Sequence, residues 1–359
     1  MNSTADNYGE FEDWIELYNT GGTDVDITGW YLSDKISNPL KNVVTGGIVP
    51  AGGYLKVFCS GRDEFSGGNL HTSFKLTQTK PEEILISDAG GILVDQIQMV
   101  PCQLGHSRGR TTDGASTWSL FTSPSLGTSN ANAKQEYATK PLFDIASGIQ
   151  GGNISLTISS PDANVSLYYT NNGSTPDAGS TPVSGAIALT TNTVIRSISI
   201  SSDPNIPPSF VETNTYFFNI SHALKILSIC GDEITDFIND QAPGSFSNNF
   251  RGGLEFFTSA GILIDEGEGE YNKHGNDSWA YDQRGVDFIM GDQFGYNYAI
   301  QDQIYRGKSR TSHQRLMIKA GANDNVSFET GGAYIRDAYV QSLSQVGGLK
   351  MDERSYEPA

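Results

Sequence analysis

Ile84-Leu85-Ile86-Ser87-Asp88-Ala89-Gly90-Gly91-Ile92-Leu93-Val94-Asp95 is the stretch on which the fold turns. Two short apolar runs flank an Asp-Ala-Gly-Gly turn, which reads as a β-hairpin because the runs are too short for helices and the glycines suit tight reversal. The same grammar continues on either side. Trp14-Ile15-Glu16-Leu17-Tyr18 opens a strand and Asn19-Thr20-Gly21-Gly22 ends it. Val25, Ile27, Trp30 and Leu32 keep the β character, and Pro50-Ala51-Gly52-Gly53 turns into Tyr54-Leu55-Lys56-Val57-Phe58. Short strands at regular spacing with frequent turn signals predict a sandwich or barrel over residues 1–130.

Further along, Ala131 to Glu136 is polar and leads to Pro141, so residues 131–145 read as a linker. Over 146–220 the period is two: Ile154, Leu156 and Ile158, then Val165, Leu167 and Tyr169, then Val194, Ile198 and Ile200 alternate with other residues. That is the pattern of a half-buried sheet. Asn171-Asn172-Gly173-Ser174 marks a tight turn inside it. From Leu224 the texture changes. Leu224–Cys230, Leu254–Phe257, Gly261–Ile264, Val286–Met290 and Leu316–Ile318 read as strands, the middle pair as a hairpin around Thr258-Ser259-Ala260. Gly332–Val346 places Ile335, Tyr339, Leu343 and Val346 at helical spacing, and Gly347-Gly348 stops the helix. Residues 223–359 are therefore expected to be α+β.

Composition agrees with this division. The chain has 359 residues, enough for two or three domains at roughly 100–200 residues each. Charged residues make up only 18%, and the formal net charge is −18. Such acidity excludes nucleic acid as a natural partner, since no basic stripe faces phosphates. No apolar stretch is long enough to span a bilayer. Cys59, Cys102 and Cys230 include no CxxC pair, so they read as buried free thiols, with a Cys59–Cys102 disulfide as the alternative. His71, His106, His222, His274 and His313 are too scattered for a zinc site, and no GxSxG elbow is present.

Three resemblances to known families follow from particular residues. Asp13 to Asn19, Gly29-Trp30-Tyr31-Leu32-Ser33-Asp34, Ser107-Arg108-Gly109-Arg110, Trp118 and Ser123 to Gly127 resemble the lamin tail domain. This implies an immunoglobulin-like β-sandwich over 1–130. Val165 to Pro176 with Val194-Ile195-Arg196-Ser197 resemble the C-terminal module of chitobiases and β-hexosaminidases, which implies a small non-catalytic sandwich. Lys273 to Trp279, Gln283-Arg284, Asp292 to Gly295, Gln314-Arg315-Leu316, Ala322 to Asn325 and Ile335 to Ala338 resemble the N-terminal part of the CotH kinase family. The last resemblance implies a partial protein-kinase-like fold, ATP, Mg²⁺ or Mn²⁺, and a surface or coat protein as phosphate acceptor. It also implies that the catalytic acids follow the helix, beyond Ala359, so that this chain is a catalytically inactive fragment of a kinase.

The resemblance directs attention to certain residues. Gly275, Asn276 and Ser278 form the candidate phosphate loop, where backbone N–H groups could approach an anion. Arg284 on the following strand is the candidate phosphate cation. Each also reads plainly, as a turn and as a solvated strand charge. Arg336 and Asp337 read as a helix-terminal pair, and Asn323-Asp324-Asn325 as a polar turn. Glu266, Glu268 and Glu270 alternate with Gly267, Gly269 and Tyr271, so their carboxylates share one face. That face reads as the solvated side of an edge strand, and alternatively as a gathering point for a cation. Trp14 and Trp30 are expected in the core rather than on a glycan-binding face. The module types imply an extracellular or cell-surface protein. A non-enzymatic adhesion or scaffold protein, touching glycan or the cell envelope, is the alternative.

Overall fold

The structure is a computed structural model that describes residues 4–76, 82–239, 250–275, 284–291, 293–304 and 309–318, with Tyr339, Val340, Leu343, Ser344, Val346 and Gly347. It is mainly β. Two compact units are present: residues 1–138 with 201–208, and residues 139–200 with 209–359.

The first unit contains two four-stranded sheets. One runs Trp14–Tyr18, Tyr54–Phe58, Asn69–His71, Glu64–Ser66; the other runs Leu93–Gln98, Glu83–Ser87, Tyr31–Ser33, Asn42–Val43. Alternating residues from both enter one apolar core that holds Leu32, Val57 and Leu70. This arrangement is consistent with an immunoglobulin-like sandwich. The opening hairpin forms as read. Asp88 N–H donates to Ile92 O at 2.9 Å, and Gly91, at φ +80°, returns its N–H to Asp88 O at 2.9 Å. Trp30 packs against the core and Trp14 is half-buried. Trp118, by contrast, is 40% exposed, with Arg110 over its ring at 4.6 Å.

In the second unit, residues 139–218 build a five-stranded sheet. Its order is Gly148–Gln150, Glu212–Phe218, Thr193–Ser201, Val165–Thr170, Thr181–Pro182. The Gly148–Gln150 strand pairs in parallel, and Leu156, Ile195, Tyr216 and Phe218 fill the core. A second five-stranded sheet in the unit, formed by the third segment of the chain and called the third sheet, is antiparallel throughout. Its order is Ile226–Gly231, Phe250–Phe257, Leu263–His274, Gly285–Met290, Arg315–Ile318. The short helix Ile234–Asn239 drops Phe237 into the core of this sheet, beside Leu254, Tyr271 and Phe288.

The expected hairpin around Thr258 is present, closed by Thr258 N–H to Ile262 O at 2.8 Å. Of the expected C-terminal helix, Tyr339, Val340, Leu343, Ser344 and Val346 are helical. Tyr339, Leu343 and Val346 are exposed, so these three members of the apolar stripe face solvent. Ile335 lies outside the described residues.

Candidate functional site

The twelve-residue strand Leu263–His274 decides what this region can do, because its two faces meet different surroundings. Gly267 and Gly269 lie on the core side. A Cβ at Gly269 would sit 2.2 Å from Ile289 O, and one at Gly267 would sit 2.4 Å from Met290 Cε. Glycine is demanded by that close approach. The intervening residues Glu266, Glu268 and Glu270 share the opposite face, as their alternation requires. They do not lie on an edge strand. The strand is the third of five, and two of the three carboxylates are half-buried against the preceding sheet of the same unit. The expectation of a solvated edge is therefore corrected: the apposed sheet brings its own cations.

Arg196 is one of them. It stands on the strand Thr193–Ser201 and is 1% exposed. Its Nη2 donates to Glu268, and its other guanidinium nitrogens donate to Thr213 Oγ1, Gly173 O and Thr175 Oγ1, each at 3.2 Å. Thr213 Oγ1 donates to the other Glu268 oxygen at 2.7 Å. A planar, always-charged fork suits such a desolvated pair better than a lysine would. Lys140 is the second cation. It bonds Glu212 and lies 3.9 Å from Glu266. The neighbouring Glu255 is 1% exposed and accepts from Thr215, through the backbone N–H at 3.1 Å and the hydroxyl. Thr215 Oγ1 also touches Ser228 Oγ at 2.7 Å. Lys140, Glu255, Glu266 and Glu268 line a cleft with Tyr296 and Asn297.

Sequence reading missed Arg196 and Glu255 as site residues, although a signal existed. Arg196 has the parity of Val194, Ile198 and Ile200, the apolar set. A guanidinium there must be buried, and hence paired.

The loop end of the same strand holds the candidate phosphate residues. Gly275 follows directly at φ +96°, a conformation that favours glycine. Asn276 and Ser278 lie outside the described residues, as do Asn323, Asp324, Asn325, Arg336 and Asp337. Arg284 enters the strand Gly285–Met290, and its Nη1 donates to Ile238 O near the end of the short helix. His274 pairs with Gly285 across the ladder. Asp287, 4% exposed, accepts from Arg315 Nη2 at 2.6 Å and lies 3.8 Å from His274 Nδ1. The strand–turn–strand thus brings Gly275 and Arg284 to one end of the sheet. Among the described residues, no group of three His, Cys, Asp or Glu side chains is arranged to hold a metal ion.

None of the three cysteines is in a disulfide. Cys59 and Cys230 are buried, and burial raises both thiols, Cys230 to about 12. Cys102 is only partly buried, which corrects the expectation that all three lie inside.

Comparison with known families bears on two of the three segments. Residues 1–101 match the family model of the Lamin Tail Domain. Residues 145–209 match that of the chitobiase/beta-hexosaminidase C-terminal domain. Both modules read from the sequence are thereby shown, over matched spans that end before residues 130 and 220. Comparison of the chain with curated proteins gives no match. The strand Thr193–Ser201, whose Arg196 meets Glu268, lies within the matched chitobiase/hexosaminidase module, whereas the strand Glu212–Phe218, whose Thr213 and Thr215 bond Glu268 and Glu255, lies just after it. Arg196 and Lys140 thus carry that module, and the residue run just before it, onto the third sheet. No helix among the described residues is long and apolar enough to cross a membrane.

Proposed function

We propose that the chain is an extracellular or cell-surface multidomain protein whose third sheet binds ATP with Mg²⁺ or Mn²⁺, in the manner of the CotH kinase family. The observation that supports this reading is the hairpin formed by Leu263–His274 and Gly285–Met290. It presents Gly275 in a left-handed conformation at its turn and Arg284 at the start of the return strand. A phosphoryl-transfer site needs a glycine-bearing turn where backbone N–H groups reach phosphate oxygens, and a cation beside it. Gly275, Asn276 and Ser278 would supply the turn and Arg284 the cation. Bound divalent metal would neutralise the phosphate oxygens. A surface or coat protein is the acceptor class that the resemblance implies. The lamin tail and chitobiase/hexosaminidase modules would be non-catalytic supports.

Binding is the test, because the reading rests on Gly275 and Arg284 as nucleotide-contacting residues. Calorimetric titration of the 359-residue chain with ATP and Mn²⁺ should give saturable heat, weakened at least tenfold in Arg284→Gln. A urea melt of the same variant separates lost binding from lost folding. A folded wild-type chain that gives no heat with ATP and either metal would overturn the reading.

The buried Arg196–Glu268 pair favours a second reading. It joins the second module to the third sheet by a desolvated bond, as a scaffold protein requires. Absence of nucleotide binding together with an intact pair would support that alternative, in which the protein acts in adhesion to glycan or envelope.

A further inference from the structure

The junction between the two five-stranded sheets of the second unit has an unbalanced charge. Glu212, Glu255, Glu266 and Glu268 face Lys140 and Arg196, four carboxylates against two cations. Each sheet contributes to both the bonding and the imbalance. Glu212 and Arg196 come from one, and Glu255, Glu266 and Glu268 from the other. Glu268 is fully engaged by Arg196 and Thr213, and Glu212 holds Lys140. Among the described residues, no cation touches Glu255. It is held only by the neutral donors of Thr215 and Ser147, which favour its carboxylate without supplying a compensating charge, while burial favours the neutral carboxyl. Among the described residues, Glu266 has Lys140 alone, at 3.9 Å and shared with Glu212.

We propose that this junction is a pH-responsive latch, closed while Glu255 and Glu266 carry protons and loosened when both ionise. Among the described residues, the charged and titratable neighbours come from several places in the unit. Glu212 and Tyr216 come from the strand Glu212–Phe218, Arg196 from Thr193–Ser201, Cys230 from Ile226–Gly231, Glu268 and Tyr271 from Leu263–His274, Lys140 and Asp232 from the adjoining segments, and Tyr296 from the run after Gly285–Met290 that lines the cleft. None adds a third cation.

The direction is set by physics. Burial pushes Glu255 up to about 7, with Thr215 opposing. Burial and then repulsion from Glu212 push Glu266 up to about 8, with Lys140 opposing. Both groups therefore hold protons more tightly folded than unfolded. Their contribution to stability is complete below the unfolded value of 4.5 and is lost as pH rises through about 7 to 8. Each unit of raised pKa corresponds to about tenfold in the folding equilibrium, so a loss of at least about tenfold between pH 5 and pH 8 is expected.

Hydrogen–deuterium exchange of the whole chain, corrected for the intrinsic pH dependence of exchange, reads this directly. Protection of Glu212–Phe218 and Phe250–Phe257 should fall at least tenfold from pH 5 to pH 8. The Glu255→Gln/Glu266→Gln variant should keep its protection over the same range. Infrared difference spectra of the wild-type chain should show buried protonated carboxyl at pH 6 that disappears by pH 9, a measurement that needs no variant. Protection that is independent of pH in the wild type, or an equal fall in the double variant, would overturn the proposal, as would carboxylates fully ionised at pH 6.

Discussion

Replacing Arg196 by Met removes the guanidinium and keeps most of the side-chain volume. Arg196 is 1% exposed and donates to Glu268, Thr213, Gly173 and Thr175. Loss of the charge-assisted bond to Glu268 alone costs about 1.5–3 kcal/mol. Glu268 is then left in a desolvated site beside Glu266, with Thr213 as its remaining donor. Breaking a buried pair from one side costs about 3–5 kcal/mol. For a folding unit of this size, that lowers Tm by about 6–20 °C. The assay is urea unfolding followed by circular dichroism at pH 7, with Glu268→Met and the double variant completing a cycle. The double variant should be less damaged than the sum of the two single ones, because two apolar side chains of similar volume leave no orphan charge. A cost below about 1 kcal/mol for Arg196→Met, with additive single effects, would refute the inference that the two sheets are joined by this pair.

Two further predictions concern packing and thiols. Gly269→Ala should destabilise the third sheet by about 3 kcal/mol in thermal melts, since its Cβ would lie 2.2 Å from a backbone carbonyl, whereas Gly151→Ala, which meets nothing within 4 Å, should stay within about 0.5 kcal/mol. A soluble thiol reagent should modify Cys102 in the native chain and reach Cys59 and Cys230 only in denaturant, as peptide mapping would show.

The strands were legible because their signals are local. The Asp88–Gly91 turn, the period-two runs and the hairpin around Thr258 each carry their own chemistry within a dozen residues, and each forms where it was read. The placement of Glu266 and Glu268 was not legible. Alternation fixed that they share a face, but what covers that face comes from residues about 50 to 130 positions earlier, and spacing carries no information on such pairing. Arg196 stood on an apolar parity and should have announced a buried partner; its charge alone did not say which carboxylate. The helical spacing of Tyr339, Leu343 and Val346 predicted helix correctly, but not that these side chains would face solvent. Periodicity reports that a stripe exists, and burial of the stripe depends on a neighbour.

The central functional claim is nucleotide binding at the hairpin that joins Gly275 to Arg284. Titration of the 359-residue chain with ATP and Mn²⁺, followed by calorimetry, tests it most directly. The account predicts saturable binding that Arg284→Gln weakens at least tenfold in a variant that still folds. No heat from a folded wild-type chain with either Mn²⁺ or Mg²⁺ would contradict it, and would leave the third sheet as a scaffold held to its neighbour through Arg196.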